Sequence, residues 1–323
     1  MSMRFTGATL GRLGCLAILG LLPLFVPSPY VRHLIIIAVV YAVVASNWDL
    51  SLGYAGIFNF GHLAFFALGV YASAILSKRF GISPWAAIAA AGIAGAVAAL
   101  IVSLPVLRLK GIYVVLVTFA FSQLCLQIIM SQEELTGGSM GMPLLPALEI
   151  GGHSFARDNK FGYYYAALVL LVGSTIYLHY LVHSRFGISI VALRDNEDYA
   201  ISRGVSLARQ RLLTLVASAL FTSVAGGFFS TYVRVASPDV FGFGPLSLAL
   251  SMLLLGGTNS IYGPIIGAFL ITMISEAMVD LGPWRFMIIS ALIILVMRFY
   301  PGGIIGALDV VGQLVKRRRK RPL

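Results

Sequence analysis

The chain has 323 residues, of which 59% are apolar and only 11% are charged. A soluble domain carries about 25% charged residues, and a soluble protein of this size could not bury so much apolar surface under a polar exterior. The same composition excludes an intrinsically disordered chain. The formal net charge of +11 indicates, for a membrane protein, basic loops that collect on one side of the bilayer. Both cysteines lie inside apolar runs, so a disulfide framework is not indicated.

Apolar runs separated by polar or Gly/Pro-rich segments predict an all-α, polytopic membrane protein, because about 20 helical residues cross the hydrocarbon core. The alternating pattern of a membrane β-barrel is absent. A signal peptide is the alternative interpretation of the first run. No small-residue cleavage site follows this run cleanly, so we expect a retained helix. Some runs are short, so we expect about ten crossings, with eight as the lower limit, some of them short or broken, in a single transmembrane domain spanning residues 1–323. The runs are Gly14–Val26, Leu34–Ser46, Ile57–Ser77, Trp85–Leu104, Ile112–Met130, Tyr163–Val182, Leu212–Val233, Leu246–Leu255, Ile265–Val279 and Phe286–Tyr300.

The distribution of basic residues tests this number of crossings. With the N-terminus inside and ten crossings, 15 of the 23 basic residues fall in inside segments and 7 in outside segments, as the positive-inside rule requires. The last one, Arg298, lies at the inner end of the final run. This topology places both termini in the cytoplasm, residues 131–161 in an external loop and residues 184–211 in a cytoplasmic loop. A basic cytoplasmic tail, residues 309–323, then meets anionic lipid headgroups.

The cytoplasmic loop of residues 184–211 is far more polar than its surroundings. Within it, Asp195–Arg203 predicts a short helix outside the membrane. Asp195 and Asn196 suit its N-cap, the acidic residues that follow complement the positive end of the helix dipole, and Gly204 can end it. A solvated connector and a helix that docks on a cytoplasmic partner both explain this pattern.

Glycines and polar side chains interrupt the apolar segment Gly53–Phe66. Polar groups are costly in lipid, so they should face neighbouring helices or a wet cavity. A broken helix that offers backbone groups to a substrate and close helix packing with internally satisfied polar groups both remain open. The residues predicted to line a substrate path are Asn59, His62, Gly56 and Gly61.

Three other patterns resemble a catalytic motif, a metal site and an ion-coupling site, but each lacks a feature that such a site requires. Gly137–Gly141 fits the G-x-S-x-G motif of hydrolases but lies in a Gly/Pro-rich loop rather than a strand–turn–helix. His179 and His183 share a helix face, yet no third metal ligand accompanies them. Glu276 and Asp280 lie near the end of a run, whereas ion coupling places carboxylates deep in the membrane. We therefore predict neither catalytic residues nor a metal site.

Several blocks of sequence resemble, in the same order, the LivM-type permeases of branched-chain amino acid ABC importers. Five blocks in order are far more specific than any one of them, and together they extend over roughly residues 46–301. The blocks are Gly53–Leu76, Leu107–Phe121, Thr136–Pro143, Ser184–Val205 and Gly256–Ala268.

The cytoplasmic loop also resembles the coupling loop of ABC-importer permeases, whose pattern is Glu-Ala-Ala, three residues and then Gly. Asp198, Tyr199 and Ala200 stand at the triplet and Gly204 at the glycine. Two of the three triplet residues differ from the pattern. The resemblance places coupling to an ATPase at Asp195, Glu197, Asp198, Tyr199, Ala200 and Gly204.

The resemblance implies a transport permease that is not an enzyme and binds no cofactor itself. It further implies a LivH-type second permease, two cytoplasmic ATPase subunits that bind ATP and Mg, and a periplasmic substrate-binding protein, at a bacterial inner membrane. The chain has no G-x-x-x-x-G-K-[ST] phosphate loop. The sequence leaves open whether the solute is a branched-chain amino acid, urea or an amide, and whether pairing is heterodimeric. The competing hypothesis is an ion-coupled secondary transporter or channel that acts without an ATPase.

Overall fold

The computed structural model describes residues 28–151, 153–155, 160–300 and 302–306. The regular structure of these residues consists of twelve α-helices, four short π- or 3-10-helical turns and four very short strands. The helices are α1 (Pro29–Asp49), α2 (His62–Lys78), α3 (Pro84–Val106), α4 (Ile112–Ser131), α5 (Glu133–Thr136), α6 (Phe161–His183), α7 (Arg185–Asp195), α8 (Glu197–Ser202), α9 (Leu207–Val233), α10 (Phe243–Gly256), α11 (Gly263–Ala277) and α12 (Trp284–Phe299). The strands are β1 (Met142–Pro143), β2 (Glu149–Ile150), β3 (His153–Ser154) and β4 (Val235–Ala236).

The strands form two antiparallel ribbons that belong to the loops. β1 pairs with β4, with Met142 opposite Ala236, and β2 pairs with β3. The first ribbon ties the long loop after α4 to the segment after α9.

The helices confirm the prediction of an all-α polytopic membrane protein. Six helical segments of the described chain are long and apolar enough to span a bilayer, and α2, α10 and α11 are shorter apolar helices. These account for nine of the ten predicted runs. The remaining run, Gly14–Val26, and the basic tail of residues 309–323 lie outside the described residues.

Helix α1 occupies the centre of the bundle. It packs against α6, α9, α10 and α11, and α9 in turn packs along α2 and α3. Helices approach closely where a glycine removes a side chain: a Cβ at Gly226 of α9 would lie 2.0 Å from the Phe66 carbonyl oxygen of α2. Such contact through small residues is the usual way in which helices associate in lipid.

Helix α4 lies at the edge of the bundle. Its buried side chains recur every three or four residues and so form one stripe, which faces α2 and α3. Apolar side chains such as Ile112, Leu116 and Phe119 cover its exposed surface. An apolar exterior of this kind suits a lipid environment.

Segments that the charge distribution assigns to the same side of the membrane meet at the same end of the bundle. At one end, Trp85 Nε1 donates to the Glu149 carbonyl oxygen (3.0 Å) and Arg234 Nε donates to that of Leu145 (2.8 Å). At the opposite end, Arg211 Nη1 donates to the Leu109 carbonyl oxygen (2.9 Å). We call this second end, formed by residues 49–58, 107–111, 194–211 and 257–262, the loop end.

Candidate functional site

The chain leaves regular α-helix at the end of α1. The last turn widens into a π-helical turn, Leu50–Tyr54, and residues 55–61 connect it to α2 without helical structure. The sequence placed Ile57–Ser77 in one run, but helix α2 begins only at His62. A π-helical turn next to an irregular segment is often a functional feature, and it agrees with the predicted interruption of this run.

Three of the four predicted substrate-path residues form one packed cluster. Asn59 and His62 are fully buried. Asn59 Oδ1 accepts from the Gly61 N–H (2.9 Å), and His62 Nε2 lies 2.9 Å from Thr222 Oγ1 of α9. The His62 ring stacks on Trp48, with ring centroids 5.4 Å apart. The fourth residue, Gly56, lies apart from this cluster and faces the Arg194 side chain.

The cytoplasmic loop folds into two helices rather than one. Asp195 is the last residue of α7, and Asn196 is the N-cap of α8, where its Oδ1 accepts from the Tyr199 N–H (2.9 Å). The helix predicted over Asp195–Arg203 is therefore shorter, and Asp195 does not begin it. Asp195 stays in α7 because Ile190 and Leu193 of that helix are buried on the bundle. Gly204 follows α8 with a φ of +86°, as a glycine that ends a helix does.

The predicted coupling residues divide into an exposed group and a group that faces the chain itself. Asp195, Asp198, Tyr199 and Gly204 are exposed, and so is Ile201. Ala200 is buried, with 2% of its surface exposed. Helix α8 thus lies on the bundle along one face and offers the other outward.

Glu197 fixes α8 to two neighbouring segments of the loop end. Its Oε1 lies 2.6 Å from Lys110 Nζ, which precedes α4, and its Oε2 lies 3.3 Å from Arg211 Nη2 of α9. Arg211 is mostly buried and also donates to the Leu109 carbonyl. This carboxylate, which the resemblance placed among the residues that couple to an ATPase, therefore holds α8 in position within the chain.

Asp49, the last residue of α1, is fully buried. Its Oδ1 accepts from the Asn259 N–H (3.1 Å) and its Oδ2 from the Ser260 N–H (3.0 Å). Both donors belong to the loop between α10 and α11. A buried carboxylate needs such donors, so this pair of hydrogen bonds holds the loop against α1.

Arg194 joins α7 to the same region. Its Nη1 donates to the Gly53 carbonyl oxygen (2.8 Å) and to Asn259 Oδ1 (3.0 Å), and its Nε and Nη2 donate to Asp195 Oδ1. The Gly53 carbonyl lies at the C-terminal end of a helix, where carbonyls lack intrahelical donors and a cation is favourable. Arg194 is thus a cap for α1 that comes from another helix.

A cavity of about 290 Å³ lies at the loop end. One wall is the irregular segment of residues 55–58, and the other is formed by the α7–α8 junction and the start of α9. Polar lining groups include Arg194, Glu197, Gln210 and Arg211. Of the predicted substrate-path residues, only Gly56 lines it.

A family model described as the permease component of the branched-chain amino acid transport system matches residues 30–297. The chain belongs to this family. It is a multi-pass membrane protein and a permease component, and the family consists of transport proteins rather than enzymes.

Individual relatives agree with the family. The permease is 28% identical to LivM of Escherichia coli K12 over 83% of its own length and 68% of that protein, and 22% identical to a probable LivM of Methanocaldococcus jannaschii over 86% and 94%. It is also 26% identical to LivH of Escherichia coli K12, over 84% of its own length and 92% of that protein. No solved structure matches the chain.

Four of the five blocks that carry the resemblance to LivM-type permeases meet at the loop end. Gly53 and Asn259 share Arg194 as donor, and Leu109 accepts from Arg211 next to α8. The fifth block, Thr136–Pro143, lies at the opposite end, where β1 pairs with β4. The loop end is therefore the candidate functional site of this permease.

Asp49, Arg194 and Asn259 form a connected site that was not predicted from the sequence. One signal was available: Asp49 is a lone carboxylate between the apolar runs Leu34–Ser46 and Ile57–Ser77, and such residues are functional candidates by default. Its donors lie in a loop 210 and 211 positions away, and no local pattern reveals that pairing.

The rings of His179 and His183 lie next to each other on α6, with centroids 4.1 Å apart. His183 Nδ1 lies 2.8 Å from the His179 carbonyl oxygen. Across the described part of the chain, no group of three His, Cys, Asp or Glu side chains is arranged to hold a metal ion.

Proposed function

We propose that this permease is the membrane-spanning subunit of an ATP-driven importer for branched-chain amino acids or a related small polar solute, and that it couples closure of partner ATPases to solute movement. The observation that supports this most directly is α8. It is a short helix with an outward face, held by the Glu197 ion pairs with Lys110 and Arg211. A helix that is braced in this way transmits a push from a docked partner without unfolding.

The proposed partners are a LivH-type permease, two cytoplasmic ATPase subunits that carry ATP and Mg, and a periplasmic substrate-binding protein. Relatives of this chain include proteins named LivM and LivH of high-affinity branched-chain amino acid transport systems, which supports membership in such a complex. The loop end then faces the cytoplasm of a bacterial inner membrane, with both termini on that side, as the bias of basic residues suggests.

The proposed contact with an ATPase is the exposed face of α8. Asp198 offers a negative charge, Tyr199 and Ile201 offer apolar surface, and Gly204 ends the helix without a side chain. Asp195, exposed at the end of α7, flanks this surface. Ala200 and Glu197 contribute indirectly, since Ala200 packs against the bundle and Glu197 holds α8 in place.

The proposed solute path runs past Asn59, Gly61 and His62 and reaches the loop end at Gly56. Support comes from an unused donor: within the described chain, Asn59 Nδ2 is buried and has no hydrogen-bond acceptor. Such a group attracts a carboxylate or carbonyl oxygen once space opens beside it. The cluster is closed in this structure, so the path requires the helices around it to separate.

Reconstitution tests the proposed function. The permease, purified by its own tag with the LivH-type and ATPase partners from the same organism, should retain both. In proteoliposomes with the binding protein it should take up radiolabelled leucine only when ATP is supplied. Failure to retain the ATPase subunits contradicts the proposal.

The competing function is ion-coupled transport by this chain alone, and the buried Asp49 carboxylate is the observation in its favour. Two backbone N–H donors already occupy that carboxylate, which favours a structural role. Leucine flux driven by a proton or sodium gradient, in proteoliposomes that contain only this chain, supports the competing function and contradicts the ATP-driven one.

A further inference from the structure

Helix α8 reaches the bundle by only two covalent routes. Through α7 it leads to α6, and through residues 203–206 it leads to α9. Neither route reaches α1, although α1 lies at the centre of the bundle and contacts α6, α9, α10 and α11. A push on α8 therefore reaches the central helix only through side-chain contacts.

Arg194 supplies a direct polar contact of this kind, beside the apolar packing of Ile190 of α7 with Leu50 and Ile261. It lies one residue from the end of α7, and its guanidinium binds the Gly53 carbonyl oxygen of the π-helical turn that follows α1 and Asn259 Oδ1 of the loop before α11. The planar guanidinium places several donors in a fixed fork, whereas the single ammonium of a lysine does not. The side chain is 27% exposed, so the contact is shielded from much of the solvent.

The acceptors of Arg194 are themselves held together by Asp49. Its carboxylate binds the Asn259 and Ser260 N–H groups, which fixes the loop before α11 to the end of α1. Gly53 permits this arrangement, because a Cβ at that position would lie 2.0 Å from Asp49 Oδ1 and 2.6 Å from the Asn259 nitrogen. Arg194 thus engages one unit made from the π-helical turn after α1 and the loop before α11.

We propose that Arg194 is a positioning residue that transmits movement of α7 and α8 to α1 and α11, with Asp49 and Asn259 as its anchor. This inference rests on the proposed function and names the residue through which the coupling passes. Arg194 also lines the cavity at the loop end, opposite residues 55–58. The same movement therefore changes the wall of that cavity, next to Gly56.

The test compares Arg194→Ala with Arg185→Ala in the reconstituted complex of this permease, the LivH-type permease and two ATPase subunits, supplied with the binding protein. Arg185 is the matched control, because it is an exposed arginine at the other end of the same helix. For Arg194→Ala we expect unchanged retention of the ATPases and continued ATP hydrolysis, with leucine uptake per ATP hydrolysed reduced about tenfold, within the usual range of coupling between sites. Arg185→Ala should match the wild type.

If the complex with Arg194→Ala does not assemble, a second variant tests the proposal. Asn259→Gly removes the side-chain acceptor, tolerates the φ of +62° at this position, and keeps the backbone N–H that Asp49 binds. It should lower uptake per ATP by only about threefold, because Arg194 keeps the Gly53 carbonyl oxygen as an acceptor. Wild-type uptake per ATP in an assembled Arg194→Ala or Asn259→Gly complex overturns the proposal. A wild-type complex without ATP-dependent uptake instead contradicts the proposed function itself.

Discussion

Asp49 Oδ1 accepts a hydrogen bond from the backbone N–H of Asn259 at 3.1 Å, across 210 positions of sequence. Asp49 ends the central helix of the bundle and is fully buried, so this bond lies inside the protein rather than on its surface. It brings together two of the longest-separated parts of the chain and creates the surface that Arg194 binds. We therefore expect the stability and the proposed coupling of this permease to depend on the same few groups.

Replacement of Asp49 by asparagine tests the stability contribution. The amide keeps one acceptor oxygen, but its NH2 group faces an N–H donor that the carboxylate had satisfied. We expect Asp49→Asn to lower the free energy of unfolding by about 1–3 kcal/mol, the usual cost of an unsatisfied buried donor. Thermal unfolding of the purified permease in detergent measures this loss of stability as a lower unfolding temperature.

The control for this change is Asp280→Asn, since Asp280 is exposed. It should leave the unfolding temperature unchanged. Equal unfolding temperatures for the Asp49→Asn variant and the wild type contradict the role given to the buried carboxylate.

Substitution of Gly53 by alanine should damage the same site by steric means. The added Cβ would lie 2.0 Å from Asp49 Oδ1, so either the carboxylate or the loop must move away. We expect lower stability and lower uptake per ATP, measured on the same reconstituted complex.

Gly173→Ala in α6 is a suitable comparison for Gly53→Ala. A Cβ there meets only one ring carbon, at 3.9 Å, and alanine is favoured over glycine inside a helix by about 0.5–1 kcal/mol. This variant should be as stable as the wild type or more so. If Gly53→Ala and Gly173→Ala have the same stability and the same uptake per ATP, the close approach at Gly53 does not contribute to function.

The sequence was sufficient to predict the helical architecture because its main signal is local. Each apolar run is a property of about 20 consecutive residues, and the bias of basic residues fixed which loops share a side. The structure places those loops together, as Trp85 with Glu149 at one end and Arg211 with Leu109 at the other. The break before α2 was also indicated locally, by glycines inside an apolar run, although the helix begins five residues after the run does.

The contacts of the candidate site were not predictable in the same way. Asp49 and Asn259 each lie between two apolar runs that look complete on their own, and their pairing is decided by how α1 packs against α10 and α11. Glu197 shows a related limit. Its position suited both a helix N-terminus and a partner contact, and only the proximity of Lys110 and Arg211 shows that it is occupied within the chain.

Glu197 and Asp198 are neighbours with different expected roles, which makes them a direct test. Glu197→Gln weakens the ion pairs to Lys110 and Arg211, so α8 should exchange its backbone amide hydrogens faster in the isolated permease. Asp198→Asn removes an exposed charge and should leave exchange unchanged but weaken retention of the ATPase subunits. Hydrogen exchange with mass spectrometry, together with co-purification, distinguishes the two effects. Unchanged exchange in Glu197→Gln contradicts the bracing role of this residue.

At Gly204 the surroundings leave room for a side chain, whereas the backbone conformation disfavours one. No atom lies within 4 Å of a Cβ built there, so a side chain fits, but the φ of +86° is one that L-residues rarely adopt. Gly204→Leu should therefore disturb the end of α8, at a cost of about 1–2 kcal/mol for a left-handed residue, and reduce ATPase co-purification while the permease still inserts. Gly204→Asn is the matched variant, since asparagine tolerates this region far better than leucine, and it should retain most of the ATPase. If both variants bind the ATPases like the wild type, the end of α8 is not part of the docking surface. If both lose them equally, the side chain itself, rather than the backbone conformation, obstructs docking.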